Sequence, residues 1–207
     1  MGKNQLIESN DPLLIPLDFP NLDEFGQAHV NALAIAATTW LQKYCNRTFK
    51  QTVYANEAHN GNGERYIYVD NPPIISLGIV TIQESSFSGD TTSTDFASTK
   101  FDTKLSSGKI RFKPGSFLSS GASLFTEGFQ NVLIDYTGGF VKIPEPVKLI
   151  AAQFIIEMFD PTESVQGIEK EKLGNYFYSR GTKYFENLTF NQKLILESYR
   201  LRRINVA

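Results

Sequence analysis

From Asp23 to Cys45 the apolar residues Val30, Leu33, Ala37, Trp40, Leu41 and Tyr44 recur at the i, i+3, i+4, i+7 spacing of a single buried stripe. Asn21 or Asp23 offers an N-cap, and Asn46-Arg47-Thr48 breaks the pattern, so the spacing predicts a helix over about 23–45. No charge occurs between Phe25 and Gln42, yet Gln27, Asn31, Thr38 and Gln42 recur on one face. The segment therefore reads as an amphipathic helix and not as a membrane span.

After Phe49 the period changes from 3.6 to 2. Gln51 to Ala58 and Arg65 to Asp70 read as strands separated by His59-Asn60-Gly61-Asn62-Gly63, whose residues tolerate positive φ and suit a hairpin turn. Asn71-Pro72-Pro73 ends the second strand, and residues 74–82 predict a third. Residues 85–100 are mostly Ser, Thr, Gly and Asp, and they are expected to form a long exposed loop. Shorter strands are expected at 109–113 and 132–136.

Helical spacing returns at Pro144, with Val147, Ile150, Ala151, Phe154, Ile155 and Met158 on one stripe that stops at Asp160-Pro161. Residues 162–187 show little periodicity although they carry Tyr176, Phe177, Tyr178, Tyr184 and Phe185, so much of this segment is expected to be pinned against something. Thr189 can cap a last helix with Leu194, Ile195 and Tyr199 inward and Lys193, Arg200, Arg202 and Arg203 outward. These elements specify an α+β fold: a helical core of about three main helices with an inserted small antiparallel β-sheet or barrel. The expected divisions are 1–49 (arm and first helix), 50–140 (β insertion) and 141–207 (C-terminal helices and aromatic segment, packing with 1–49).

Composition narrows the function classes. The 207 residues include 20 Lys and Arg against 22 Asp and Glu, a formal charge of -2 that argues against a general nucleic-acid binder or a polybasic membrane protein. Residues 1–103 carry -6 and residues 104–207 carry +4. Such an asymmetry fits a chain whose two ends face different surroundings, or a solvated face with chance clustering. One cysteine, Cys45, permits no intrachain bridge, and two histidines fall short of most zinc sites. Residues 1–19 hold no apolar run of signal-peptide length, so secretion is not expected.

Catalytic chemistry is sparse. His29 opens the first helix and His59 sits in the expected turn; both read as structural residues. Cys45 lies at a helix C-terminus, where the dipole raises a thiol pKa. Gly61-Asn62-Gly63 lacks the Gly-Lys-Ser/Thr of a phosphate loop. Glu169 and Glu171 alternate with Lys170 and Lys172, as on a solvated face. No cofactor, metal or enzymatic activity is expected. Two features rise above background. The strip Gly174-Asn175-Tyr176-Phe177-Tyr178-Ser179 is either core or an interface anchor. The cluster Arg200, Arg202 and Arg203 is either a solvated helix face or a contact with an acidic partner or phosphates.

The linear order of signals is more specific than any one of them. A helix ending Tyr44-Cys45-Asn46-Arg47-Thr48-Phe49 is followed by Glu57, Gly61 and Gly63, then by Pro72-Pro73-Ile74 with Leu77 and Val80. After the insert come Asn131-Val132-Leu133-Ile134-Asp135-Tyr136-Thr137-Gly138-Gly139, Pro144-Glu145-Pro146-Val147, Ala151-Ala152 and Glu171-Lys172-Leu173-Gly174-Asn175-Tyr176. This set, spanning Phe25 to Arg203, resembles the head-tail connector (adaptor, or head completion) proteins of tailed bacteriophages, in their long form with a β insertion. The Ser/Thr-rich stretch 85–100 and Asn175, where an acidic residue is expected, depart from that pattern.

The resemblance implies a structural virion protein at the neck, assembled in the host cytoplasm. It implies a ring, commonly dodecameric, that docks on the portal protein and receives a tail-side neck or tail-terminator protein. Double-stranded DNA would pass through without sequence-specific binding, and no membrane would be involved. Gly174 to Ser179 and Arg200, Arg202 and Arg203 are the expected contacts with the portal or a neighbouring subunit. Two other readings compete. A carbohydrate- or polymer-binding β module would cluster Tyr54, Tyr66 and Tyr68 on an exposed sheet face, and a hydrolase would use His59, Glu57 and a serine.

Overall fold

The computed structural model describes residues 6–7, 11–17, 22–85, 91–115, 124–159, 171–172, 177–178 and 188–201. The chain divides into two compact units, Met1–Arg47 with Ile143–Ala207, and Thr48–Lys142. The fold is α+β, with three α-helices and small antiparallel sheets among the described residues. Among the described residues no helix is long and apolar enough to cross a membrane.

In the first unit, helix α1 (Glu24–Cys45) starts where Asp23 accepts a hydrogen bond from the Gly26 amide at 2.7 Å. It stops at Asn46, whose left-handed conformation (φ 51°) suits the short polar side chain at a helix end. The buried stripe is Val30, Ala34, Ala37, Thr38, Leu41 and Cys45, rotated from the expected one. Thr38 does not belong to a polar face. Its Oγ1 donates to the Ala34 carbonyl (2.7 Å) and accepts from the Leu6 amide (3.1 Å), which lets a hydroxyl be buried without loss. The face left to solvent contains Phe25, Ala28, Ala32, Ile35, Ala36 and Thr39.

Helix α2 (Glu145–Phe159) buries Val147, Ile150, Ala151, Ala152, Phe154 and Ile155, close to the expected stripe. Trp40 of α1 meets Phe154 edge-on at 5.0 Å, and His29 meets Phe159 at 5.7 Å. A 3-10 turn, Pro12–Leu17, packs on α2, and Asp11 pairs with Lys148 at 3.4 Å. Helix α3 (Phe190–Tyr199) opens on a reciprocal cap: Thr189 accepts from the Gln192 amide (3.2 Å) while the Gln192 side chain accepts from the Thr189 amide (2.9 Å). Its buried anchor is Leu196; Leu194, expected inward, is 64% exposed. The reason is local. The neighbours of α3 engage the face carrying Leu196 and Ile195, which leaves Phe190 and Leu194 one turn apart on the open side.

The second unit holds a four-stranded antiparallel sheet in the order β1 (Thr52–Gly61), β7 (Gly128–Gly138), β3 (Ile74–Ser85), β4 (Thr91–Phe96). A three-stranded antiparallel sheet has the order β2 (Tyr66–Tyr68), β6 (Lys109–Phe112), β5 (Phe101–Lys104). One hydrophobic core joins them, with Ile67, Phe101, Ile110 and Phe112 from the smaller sheet and Val80, Ile82, Val132, Ile134 and Tyr136 from the larger. Burial alternates along β7 from Val132 to Tyr136, as period 2 requires of a sheet with one packed face.

Two expectations fail here for physical reasons. The His59–Gly63 cluster is not a hairpin: β1 runs through it to Gly61 and pairs with β7, while β2 pairs with β6. Gly61 is required by close approach, since a Cβ there would lie 1.7 Å from the Thr126 carbonyl oxygen. Asn62 then accepts from the Glu64 amide (3.0 Å), and this turn carries the chain into the other sheet. Residues 85–100 are not one loop, because β4 adds as an edge strand along Val80–Ser85, and Ser98–Lys100 form a 3-10 turn. The threonines of β4 are β-branched and suit an exposed edge, where apolar alternation is absent.

Both ends of this unit are tied side by side. The Phe140 amide donates to the Phe49 carbonyl (2.8 Å), Lys50 and Phe140 form a parallel bridge, and the Gly139 amide donates to the Pro73 carbonyl (3.0 Å).

Candidate interaction surface

In the first unit the C-terminal ends of α1 and α3 form a clamp. The Leu201 amide donates to the Cys45 carbonyl (2.9 Å), and Arg47 Nη1 donates to the Tyr199 carbonyl (3.0 Å). Tyr44 reaches Glu197 (3.4 Å), and the Cys45 thiol points to the Leu196 carbonyl (3.7 Å). Burial pushes the Cys45 thiol up to about 11, which makes it an inert packing residue. Burial likewise lowers the Arg47 guanidinium from its ordinary value.

Arg200 follows from this clamp. It pairs with Glu197 at 2.9 Å, its guanidinium lies 5.7 Å from the Tyr44 ring centroid, and its side chain is 49% exposed. The Glu197 partner raises its pKa. It is thus a half-exposed cation at a rigid point. Of the other expected contact residues, Gly174, Asn175, Tyr176, Ser179, Arg202 and Arg203 lie outside the described residues. Phe177 and Tyr178 form a two-residue strand, β9 (Phe177–Tyr178), antiparallel to β8 (Glu171–Lys172).

The sequence did not signal the groove beside this clamp. It encloses about 650 Å³, and five apolar side chains, Leu13, Pro146, Leu149, Ile150 and Ile195, line it together with five polar ones, Glu145, Gln153, Thr189, Asn191 and Gln192. Gln153 and Gln192 cross it with a 2.8 Å hydrogen bond. Leu149 is 49% exposed, and Phe190 and Leu194 on α3 are 79% and 64% exposed. Soluble domains seldom leave so many large apolar side chains open together unless a partner covers them.

The second unit offers a polar cluster instead. Glu57 Oε1 accepts from His59 Nε2 (2.7 Å) and from the Asp70 amide (3.0 Å), while Oε2 accepts from Tyr136 (2.7 Å). Burial raises the Glu57 pKa, but these hydrogen bonds outweigh it, and the carboxyl ends below its ordinary value. Burial and the Glu57 carboxylate push the Tyr136 phenol far up. Tyr136 also accepts from the Asn71 amide (3.2 Å), and the Asn71 side chain bonds both backbone groups of Thr48 (2.7 and 3.2 Å). The cluster fastens the β2–β3 connection to the large sheet. Among the described residues no serine hydroxyl bonds to His59.

Nor do the tyrosines share a platform. Tyr54 stacks on buried Tyr136 at 4.8 Å. Tyr66 and Tyr68 meet at 82°, and the Lys109 ammonium lies 3.7 Å from the Tyr66 centroid. A sugar platform needs several flat exposed rings; Lys109 covers Tyr66, and Tyr68 alone of the three is exposed.

No family model and no curated protein matches the chain. Among solved structures it is similar to a chain of the neck of the empty GTA (gene transfer agent) particle computed with C6 symmetry. The likeness has 12% identity and TM-score 0.51, and it covers 100% of this chain and 99% of that one. A chain of the neck of the native GTA particle computed with C12 symmetry gives 14% identity and TM-score 0.48, with coverage of 100% and 99%. At the level of fold, the connector resemblance carried by the order of sequence motifs is matched: the chain is built like a chain of the GTA neck from end to end.

Proposed function

We propose that this chain is a structural virion protein, not an enzyme, that forms a ring adaptor between portal and tail at the neck of a phage-type particle. The observation that carries the reading is the end-to-end likeness to a neck chain, joined to the ordered connector motifs. The C6 symmetry of that neck supports a closed ring, and six is a divisor of the dodecamer that the family resemblance implies. A heterologous subunit contact that closes leaves no free ends, and many modest contacts then act together. The partners would be further copies of the chain, the portal protein and a tail-side neck or tail-terminator protein.

Packaged DNA would pass through the lumen. A lumen rich in Lys and Arg would hold the duplex by counterion release, so a formal charge of -2 suits passage. Arg200, with Arg202 and Arg203, is assigned to the portal contact, and Gly174 to Ser179 to a neighbouring subunit or the portal. The half-exposed position of Arg200 beside a rigid clamp supports a cationic contact there.

Particles assembled with Arg200, Arg202 and Arg203 all changed to Glu should lose their tails, counted by negative-stain microscopy. Normally tailed, infectious particles from this variant would remove the portal assignment. A reconstruction of the neck lacking the chain would remove the adaptor reading altogether.

A further inference from the structure

On the exposed side of α1, Phe25, Ala28, Ala32, Ile35, Ala36 and Thr39 follow one another at helical spacing over about 21 Å. Phe25 is 85% exposed and Ile35 51% exposed. Between the exposed Glu24 and Lys43 this face carries no charge. The alanines keep the helix surface low, so a partner can approach closely, while Phe25 and Ile35 stand out as knobs. Among the described residues the same unit carries a second exposed apolar surface, concave where the first is convex. That is the 650 Å³ groove edged by Leu149, with Phe190 and Leu194 next to it on α3.

We infer that the α1 face of one copy seats in the α2–α3 groove of the next copy, and that this is the repeating contact of the ring. The inference rests on the ring reading above and names its interface. Three observations favour a second copy as the occupant. The two surfaces differ in form, one a ridge and one a groove, so pairing them is head-to-tail. Such a contact leaves an open ridge at one end and an open groove at the other, which is what a closing ring consumes.

The area is also sufficient. The two aromatic and three aliphatic side chains with the three alanines offer roughly 600–800 Å² of apolar surface, the apolar share of a contact of about 1,200 Å². Finally, charge agrees. Between Glu24 and Lys43 the ridge carries no Asp, Glu, Lys or Arg, His29 being its one titratable side chain, and the groove lining contains a single ionised side chain, Glu145, of opposite sign to Lys43 at one ridge end.

The test uses the full chain in assembled particles, with Ile35 replaced by the photo-cross-linker p-benzoylphenylalanine. Irradiation should yield a band at twice the chain mass, and mass spectrometry should locate the capture within 145–153 or 189–195. The paired substitution Leu149→Glu and Leu194→Glu should lower that band at least tenfold. Both side chains are half-exposed or more, so circular dichroism of the variant should match the parent.

Capture of another stretch of the chain, capture of a different protein, or no doubled band from necks that contain the chain would overturn this pairing and leave the ring reading standing. Absence of the chain from the neck would overturn the ring reading itself, and this pairing with it.

Discussion

Glu57→Gln removes one charge from the second unit and nothing else of comparable size. The native carboxylate is an acceptor for three donors, His59, the Asp70 amide and Tyr136, and its side chain is 13% exposed. An amide keeps one acceptor oxygen and turns an NH₂ toward at least one of those donors. Hydrogen bonds to a charged group contribute about 1.5–3 kcal/mol each, and a buried donor left unpaired costs a similar amount. The expected loss at pH 7 is therefore about 1.5–3 kcal/mol, and at roughly 2–4 °C per kcal/mol for a chain of this size the Tm should fall by about 3–12 °C.

The pH dependence has a definite sign. The Glu57 carboxyl is lower in the folded protein than in the unfolded chain. Its contribution is full above the unfolded value of about 4.3 and disappears as pH falls through the lower folded value. The parent should thus lose stability over that acid window, and the gap between parent and Glu57→Gln should narrow there. Differential scanning fluorimetry from pH 3 to pH 8 measures both effects. A Tm within 1 °C of the parent at pH 7, with parallel acid limbs, would refute the account of the cluster as a fastening.

Four further outcomes follow from the geometry. Leu196→Ala removes a fully buried anchor and should cost about 2–5 kcal/mol in chemical denaturation. Thr189→Ala should cost about 1 kcal/mol and raise amide exchange first in residues 190–193. Native Cys45, displaced from 9.0 to about 11, should have about a hundredfold less thiolate than an ordinary cysteine, so its reaction with a disulfide reagent should be at least that much slower than in denaturant. Gly61→Ala drives a methyl into the Thr126 carbonyl and should lower the Tm by several degrees, whereas Gly115→Ala has open space but a φ of 82° and should show only a mild backbone strain.

Elements with end signals and a strong period were readable from the chain. Asp23 and Asn46 bracket α1, Pro144 precedes α2, and Thr189 opens α3. What could not be read was rotation and partnership. Val30, Ala37 and Leu41 of the expected α1 stripe are buried, but Ala34, Thr38 and Cys45 rather than Leu33, Trp40 and Tyr44 complete it, because small side chains permit close helix contact. Thr38 looked polar until Leu6 supplied its donor from 32 residues away. The strand β4 carries no apolar alternation, since an edge exposed to solvent needs only backbone pairing.

Gly61 looked like a turn because a required small residue and a flexible one share a letter. The candidate site was less legible still. Leu194 read as inward and Leu149 carried no signal, and only the packing of α2 with α3 shows that both remain open. The arginine cluster was visible as charge, but of the two contacts that hold Arg200 only Glu197 is local; Tyr44 lies over 150 positions away.

The paired ends of the β unit carry a consequence for how such chains diversify. Phe49 and Phe140 lie in adjacent, hydrogen-bonded backbone, so the 90 residues between them leave and rejoin the chain at a single doorway. Whatever grows, shrinks or is exchanged inside that doorway demands no stretch of the segments outside it. An insertion or deletion within this cassette should therefore leave both flanking chain ends where they are.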